Sequence, residues 1–143
     1  VPEEDFSIPF GQARVCREGT DVTIVGVGPL VPKSLAAAEM LASEGVSVEV
    51  IDPRTLAPLD METILASVGK TGKLLVADES FGPCGIGAEI AAQVMDQGFD
   101  DLAAPVRRLN GVHTPTPYSP PLEAAVVPAV DQVAAAVREL AAE

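Results

Sequence analysis

The pattern of apolar residues between positions 21 and 60 predicts a strand, a helix and a second strand. Residues 22–27 form a nearly continuous β-branched run, which is typical of a strand buried on both faces. Apolar side chains then recur at helical spacing over residues 31–42, and residues 46–51 return to a strand pattern. This order is the unit from which parallel sheets are built.

The rest of the chain continues the alternation of strands and helices. Further strands are predicted at residues 13–18, 73–77 and 105–109, and further helices after Asp60, after Gly85 and over residues 130–141. Arg14 and Arg17 would be costly on a strand covered on both faces, so the first strand is expected at an edge. About five strands and four helices predict an α/β fold, a three-layer αβα sandwich around a five-stranded mixed, mostly parallel sheet.

Two stretches fit this pattern poorly. Glu49 interrupts an otherwise apolar strand, so we expect one end of that strand to be more open to water. Residues 110–122 hold four of the 13 prolines, a density that argues against a helix or a central strand. We therefore expect an ordered or extended loop there.

The loops at the carboxyl ends of the first two parallel strands are the natural place to look for a ligand. Gly26 and Gly28 begin like a dinucleotide-binding fingerprint, and Asp52 stands where a ribose-binding acid would be. The third glycine is replaced by Val31, however, and Pro29 removes an amide that would face a pyrophosphate. The pattern favours a tight strand-to-helix turn, with nucleotide binding as the weaker alternative.

Other residues with catalytic potential stand alone in the sequence. The adjacent acids Asp78 and Glu79 could perform acid–base work or hold a metal, but no histidine or third acid accompanies them, which favours a polar loop or an interface. Cys84 lies near a helix start, and His113 is the only histidine. No self-contained active site emerges, and we expect a module of a larger assembly.

Composition and charge narrow the class of protein. The 143 residues suit one domain, which we divide into an N-terminal arm or linker, 1–12, and a domain, 13–143. A net charge of −12 disfavours nucleic acid and is compatible with a basic protein partner. No apolar run is long enough to span a membrane. The acidic start does not resemble a signal peptide, and Val1 in place of methionine is compatible with an excised fragment.

The two cysteines, Cys16 and Cys84, are far apart and form no C-x-x-C motif. Two reduced thiols in a cytosolic protein are expected, with a single disulfide as the alternative.

Several motifs together resemble a known family. They are D-V-T-I-V-G-V-G-P-L-V from residue 21, V-E-V-I-D-P-R-T-L-A-P-L-D from residue 48, G-K-L-L-V-A-D-E-S from residue 72, P-V-R-R-L from residue 105 and T-P-T-P-Y-S-P-P-L-E from residue 114. With the lead-in I-P-F-G-Q-A-R-V-C-R-E-G from residue 8, they resemble the C-terminal, transketolase-like domain of the beta subunit of thiamine-diphosphate-dependent 2-oxoacid dehydrogenases of the pyruvate, branched-chain or acetoin type. The chain departs from the family at Ala103, Pro83–Gly85 and Gly111–Pro115.

The resemblance implies an assembly domain of an enzyme that decarboxylates a 2-oxoacid and transfers the acyl group to a lipoyl group. Thiamine diphosphate and Mg would lie in the holoenzyme, between the alpha subunit and another domain of the beta subunit. This chain would bind no cofactor, supply no catalytic residue and be inactive alone. Its expected partners are the alpha subunit and a second beta subunit of a heterotetramer, and the peripheral subunit-binding domain of the acyltransferase core, which is typically basic. A bacterial, cytoplasmic location is expected.

The residues expected to contact partners lie mainly in loops that follow the strands. They are Asp52, Arg54, Asp78, Glu79, Phe81, Asp100, Asp101 and Tyr118. Two alternatives remain: the C-terminal domain of a transketolase or deoxyxylulose-phosphate synthase, and a free-standing module that binds a small ligand.

Overall fold

The computed structural model describes residues 6–143, in which five strands form one mixed sheet in the order β1-β3-β2-β4-β5. Strand β1 pairs antiparallel with β3 at one edge, and the other neighbours pair in parallel. This confirms the predicted fold class and the edge position of the arginine-bearing strand. The strands are β1 (Arg14–Arg17), β2 (Val22–Gly26), β3 (Val48–Asp52), β4 (Leu74–Phe81) and β5 (Arg107–Gly111).

Helices cover both faces of the sheet and give two hydrophobic clusters. They are α1 (Leu30–Ala42), α2 (Met61–Thr71), α3 (Ile86–Gln97), α4 (Pro120–Val126) and α5 (Val130–Ala141), with a short 3-10 turn at Phe99–Asp101. Helices α1 and α5 pack on one face and α2 and α3 on the other. Strand β2 contributes Ile24 to the first cluster and Val25 to the second, as expected when successive side chains point to opposite faces.

The proline-rich segment is not entirely a loop, and that prediction was wrong at its end. Helix α4 begins at Pro120, and the two consecutive prolines occupy its first turn. In those positions the missing N–H would have had no helical partner, so proline costs little. Strand β4 also continues beyond residue 77 to Phe81, and β5 begins two residues later than predicted. The two strands stay paired through a register shift between Asp78 and Phe81, so Asn110 and Gly111, predicted as loop, belong to β5.

Glu49 is not at an open end of its strand, contrary to the prediction, but is only 1% exposed. Its carboxylate is paired with the ammonium of Lys70, and it accepts a 2.5 Å hydrogen bond from Ser67 Oγ and one of 3.1 Å from the Gly19 amide. Burial alone would raise the pKa of Glu49, but these hydrogen bonds outweigh burial, and its pKa lies below the ordinary value. Thr23 extends the network, with its hydroxyl 2.7 Å from Ser67 Oγ. The buried acid therefore fastens α2 to the sheet.

We predict that Lys70→Met lowers the free energy of unfolding by about 1–2 kcal/mol, because it strands a buried carboxylate; the exposure of Lys70 limits the loss. Glu49 has a lowered pKa, so its contribution is present above the ordinary value of 4.5 and is lost as the pH falls through the folded-state pKa. In Lys70→Met the folded-state pKa of Glu49 should rise, because the ion pair is lost while burial remains, so the loss of stability below pH 4.5 should become smaller. Urea unfolding between pH 3 and 7 measures both effects, with pH values spanning the ordinary carboxyl range of about 4.

Glu18→Ala is the matched control, because Glu18 also pairs with Lys70 but its side chain is 80% exposed. It should change stability by less than about 0.5 kcal/mol. Equal effects of the two substitutions would contradict the central role of Glu49.

Candidate partner-binding surface

The turn after β2 is built for close packing of a helix on its strand. A Cβ added to Gly26 would lie 3.1 Å from the carbonyl oxygen of Leu30 and 3.1 Å from the Val31 amide nitrogen. Gly28 has a φ of +56°, the left-handed conformation that glycine adopts readily. The two glycines therefore shape a tight turn into α1, and this geometry supports the packing interpretation over the pyrophosphate one.

The loop between β3 and α2, Asp52–Asp60, is held by its own side chains. Asp52 Oδ1 accepts a 2.8 Å hydrogen bond from the Arg54 amide, and Arg54 itself has a φ of +58°. Thr55 Oγ1 donates to the Pro58 carbonyl at 2.8 Å. The segment D-P-R-T-L-A-P-L-D, residues 52–60, thus encodes a fixed turn, in which the Asp52 carboxylate binds the protein's own backbone.

Asp60 caps helix α2, as the sequence predicts. Its Oδ1 accepts from the Thr63 amide at 3.0 Å, and its Oδ2 accepts from the Thr63 hydroxyl at 2.8 Å and from the Ala13 amide at 2.8 Å. Burial acts to raise the pKa of Asp60, but these hydrogen bonds prevail, and the pKa lies below its ordinary value. One carboxylate therefore joins the start of α2 to the start of the domain.

The adjacent acids of β4 do not form a catalytic pair. Asp78 is 3% exposed and accepts hydrogen bonds from the amide and hydroxyl of Ser80. Glu79 is exposed, as are the two residues after it, because the end of β4 extends beyond the cover that buries its first five residues. Phe81 is 46% exposed, and its ring centroid lies 4.9 Å from that of His113 at a tilt of 30°. The Asp78 carboxylate is thus buried and hydrogen-bonded within the domain, while the side chains of Glu79 and Phe81 are accessible to a partner.

The residues predicted to meet partners fall on two separate surfaces. Asp52, Arg54, Asp78, Glu79 and Phe81 follow or end strands at the carboxyl edge of the sheet, and the fully exposed Tyr118 lies in the segment that follows β5 there.

Asp100 and Asp101 lie at the opposite edge of the sheet, where the parallel strands begin, which we call the amino edge. They form the 3-10 turn after α3, and the neighbouring Ala103 amide donates to the Gly72 carbonyl at 2.7 Å, just before β4 begins. The structure therefore does not bring these two acids together with the other six residues.

Exposed apolar side chains enlarge both surfaces beyond the predicted residues. At the carboxyl edge, Ile8 and Phe10 face Leu56 across a cleft of about 620 Å³. At the amino edge, Met95 and Phe99 line a groove of about 520 Å³. A sequence signal existed for both: the Phe6–Phe10 cluster lies outside any predicted element, and Met95 lies off the apolar stripe of α3.

Three remaining sequence predictions concern thiols, metals and membranes. Cys16 and Cys84 are both free thiols. Within residues 6–143, no three His, Cys, Asp or Glu side chains are grouped so that they could hold a metal ion. No helix in the same range has the length and apolarity needed to cross a membrane. The signal-peptide prediction concerns the extreme N-terminus, of which residues 1–5 lie outside the described part.

The mixed sheet and the helices on its two faces define a three-layer αβα domain. The family described as "Transketolase, C-terminal domain" matches residues 11–133. The chain belongs to this family.

Curated relatives confirm the resemblance to dehydrogenase beta subunits. The chain is 48% identical over 139 residues to the beta subunit of acetoin:2,6-dichlorophenolindophenol oxidoreductase of Cupriavidus necator, covering 97% of this chain and 41% of that protein. The corresponding Bacillus subtilis subunit is 45% identical, with 100% and 42% covered. The mitochondrial pyruvate dehydrogenase E1 component subunit beta of Dictyostelium discoideum is 47% identical, with 95% and 38% covered. The chain thus spans about two fifths of the length of these relatives.

A solved structure shows the same fold. It is described as a split gene transketolase, inactive beta4 tetramer, and it superposes with a TM-score of 0.83 at 29% identity, covering 96% of this chain and 44% of that one.

Proposed function

We propose that this chain is the C-terminal domain of the beta subunit of a thiamine-diphosphate-dependent 2-oxoacid dehydrogenase, and that it serves assembly and partner docking. The observation that carries the proposal is 45–48% identity over nearly the whole chain to beta subunits named for acetoin and pyruvate enzymes. The lower identity of 29% to a transketolase makes transketolase the second candidate. The complete enzyme would decarboxylate a 2-oxoacid and pass the acyl group to a lipoyl group, in the bacterial cytoplasm.

The residues present do not fit thiamine diphosphate and its Mg²⁺. Such a cofactor needs backbone amides for its phosphates and oxygen ligands for the metal. Here Pro29 removes an amide from the turn after β2, Gly26 is needed for helix packing, and Asp78 is satisfied by Ser80. We therefore assign cofactor and Mg²⁺ binding to the rest of the holoenzyme, and this chain contributes no proton-transfer group.

The carboxyl edge is proposed as the surface that packs against the alpha subunit and a second beta subunit. Large apolar side chains are exposed along it, and an apolar patch rimmed by polar groups typically marks a protein interface. Phe10 is 83% exposed, and Phe81 and Tyr118 extend the patch along the edge. The similar transketolase chain is described as a tetramer of beta chains, which supports contacts between such chains.

The amino edge is proposed as the docking surface for the peripheral subunit-binding domain of the acyltransferase core. Asp100 and Asp101 are exposed beside the apolar groove of Met95 and Phe99, the latter 61% exposed. An apolar anchor site flanked by carboxylates suits a basic partner with an apolar contact residue. The net charge of −12 would steer such a partner toward the domain.

We predict that the 143-residue chain alone shows no binding of thiamine diphosphate in calorimetric titrations with Mg²⁺, up to about 1 mM cofactor, the concentration that corresponds to weak binding of about −4 kcal/mol. The complete beta subunit paired with its alpha subunit should bind in the same experiment. Micromolar binding by the chain alone would overturn the proposal and favour a free-standing ligand-binding module.

We predict that Asp100→Lys combined with Asp101→Lys weakens binding of the peripheral subunit-binding domain roughly ten-fold at low salt. The loss should shrink as ionic strength rises, because the screening length falls from about 10 Å at 0.1 M to about 3 Å at 1 M. Surface plasmon resonance across a salt series measures both the affinity and its salt dependence.

Glu39→Lys combined with Asp131→Lys is the matched control. It makes the same change in net charge at exposed positions of α1 and α5, the helices that pack on the other face of the sheet. If both double variants lose the same affinity for the peripheral subunit-binding domain, the loss comes from net charge alone, and docking at the amino edge is contradicted.

A further inference from the structure

We propose that residues 6–13 form a strap that closes over the carboxyl edge, and that Thr55 is the latch that holds it. The strap is a property of the chain's own contacts and does not depend on which enzyme the domain serves. Three features carry it: the bonding of one hydroxyl, the sharing of one carboxylate, and the exposure of the strap's apolar residues.

The Thr55 hydroxyl makes two hydrogen bonds, one as acceptor and one as donor. Its oxygen accepts a 2.9 Å hydrogen bond from the Gly11 amide, and its proton goes to the Pro58 carbonyl, 2.8 Å away. The strap can approach this closely because residue 11 is glycine. Its φ is +70°, and an added Cβ would lie 3.0 Å from Pro58 Cγ. The Gly11 amide, the Thr55 hydroxyl and the space beside Pro58 therefore fit together at this contact.

A second point of attachment couples the strap to helix α2. Asp60 Oδ2 accepts from the Ala13 amide and from the Thr63 hydroxyl, both at 2.8 Å, and the same side chain caps the helix. When the strap leaves, the carboxylate loses one of the donors that fix its position. Linkage is reciprocal, so loosening the strap loosens the first turn of α2, and the reverse also holds.

Little apolar burial helps to hold the strap. Ile8 is 47% exposed and Phe10 83% exposed, so the hydrogen bonds at Gly11 and Ala13 supply much of the attachment. Segments with few buried apolar contacts open at low free-energy cost. The strap also forms one wall of the 620 Å³ cleft, opposite Val27 and Leu56. Opening it would remove that wall and change the surface offered at the carboxyl edge.

Amide hydrogen exchange in the intact chain tests the latch. Thr55→Val keeps the side-chain shape and removes the hydroxyl, and it should speed exchange at Gly11 and Ala13 about five-fold relative to amides of β2, the factor that corresponds to one hydrogen bond. Thr63, in the first turn of α2, should follow in the same direction. Gly11→Ala weakens the same contact from the strap side, because alanine is strained at the positive φ of residue 11 and its Cβ would crowd Pro58. It should have the same pattern of effects.

The two variants should not be additive, because either one opens the same strap; the double variant should exchange about as fast as the faster single one. Thr20→Val serves as the control, since its hydroxyl contacts only its exposed neighbour Asp21 among the residues described, and it should leave Gly11, Ala13 and Thr63 unchanged. Unchanged exchange at Gly11 and Ala13 in both variants would overturn the latch. Faster exchange at Gly11 with an unaffected Thr63 would overturn the coupling to α2.

Discussion

The hydrogen bonds made by Thr55 and Asp60 set the geometry on which the carboxyl edge depends. Together they fix the loop between β3 and α2, start the helix and attach the chain segment that enters the domain. A short polar motif can do this because Thr55 Oγ1 and Asp60 Oδ2 each take part in two hydrogen bonds, one of which reaches the entering segment. The loop is therefore the structural centre of the edge, although in position it resembles a ligand crevice.

The two edges of the sheet divide the proposed work of the domain. The carboxyl edge presents aromatic and aliphatic side chains, including Phe10, Phe81 and Tyr118, and suits extended contact with neighbouring subunits. The amino edge combines a small apolar groove with Asp100 and Asp101, and suits a basic partner that binds and leaves. Separation of the surfaces would let the domain stay assembled while a second protein docks.

Local sequence signals predicted most of the fold. The β-branched run of β2 identifies a strand buried on both faces, and Asp60 identifies a helix start, because both effects act over a few residues. Glu49 was misjudged because its partner Lys70 lies 21 residues away on a helix, a distance that a strand pattern cannot report. The helix at Pro120 was missed because proline disfavours the interior of a helix but is tolerated in its first turn.

The candidate surfaces were only partly predictable. That Asp78 is buried while Glu79 is exposed depends on where the cover of β4 ends and on the hydrogen bonds that Asp78 accepts from Ser80. The opposite placement of Asp100 and Asp101 could have been foreseen, since a helix that follows a parallel strand returns the chain to the amino edge.

Hydrogen exchange of the complete beta subunit, free and assembled with its alpha subunit, tests the central claim that the carboxyl edge packs against protein. Peptides covering residues 52–60, 78–85 and 112–118 should gain protection on assembly, while the turn at 98–103 should stay unchanged until the acyltransferase domain is added. Assembly that leaves all three carboxyl-edge segments unprotected would contradict the account.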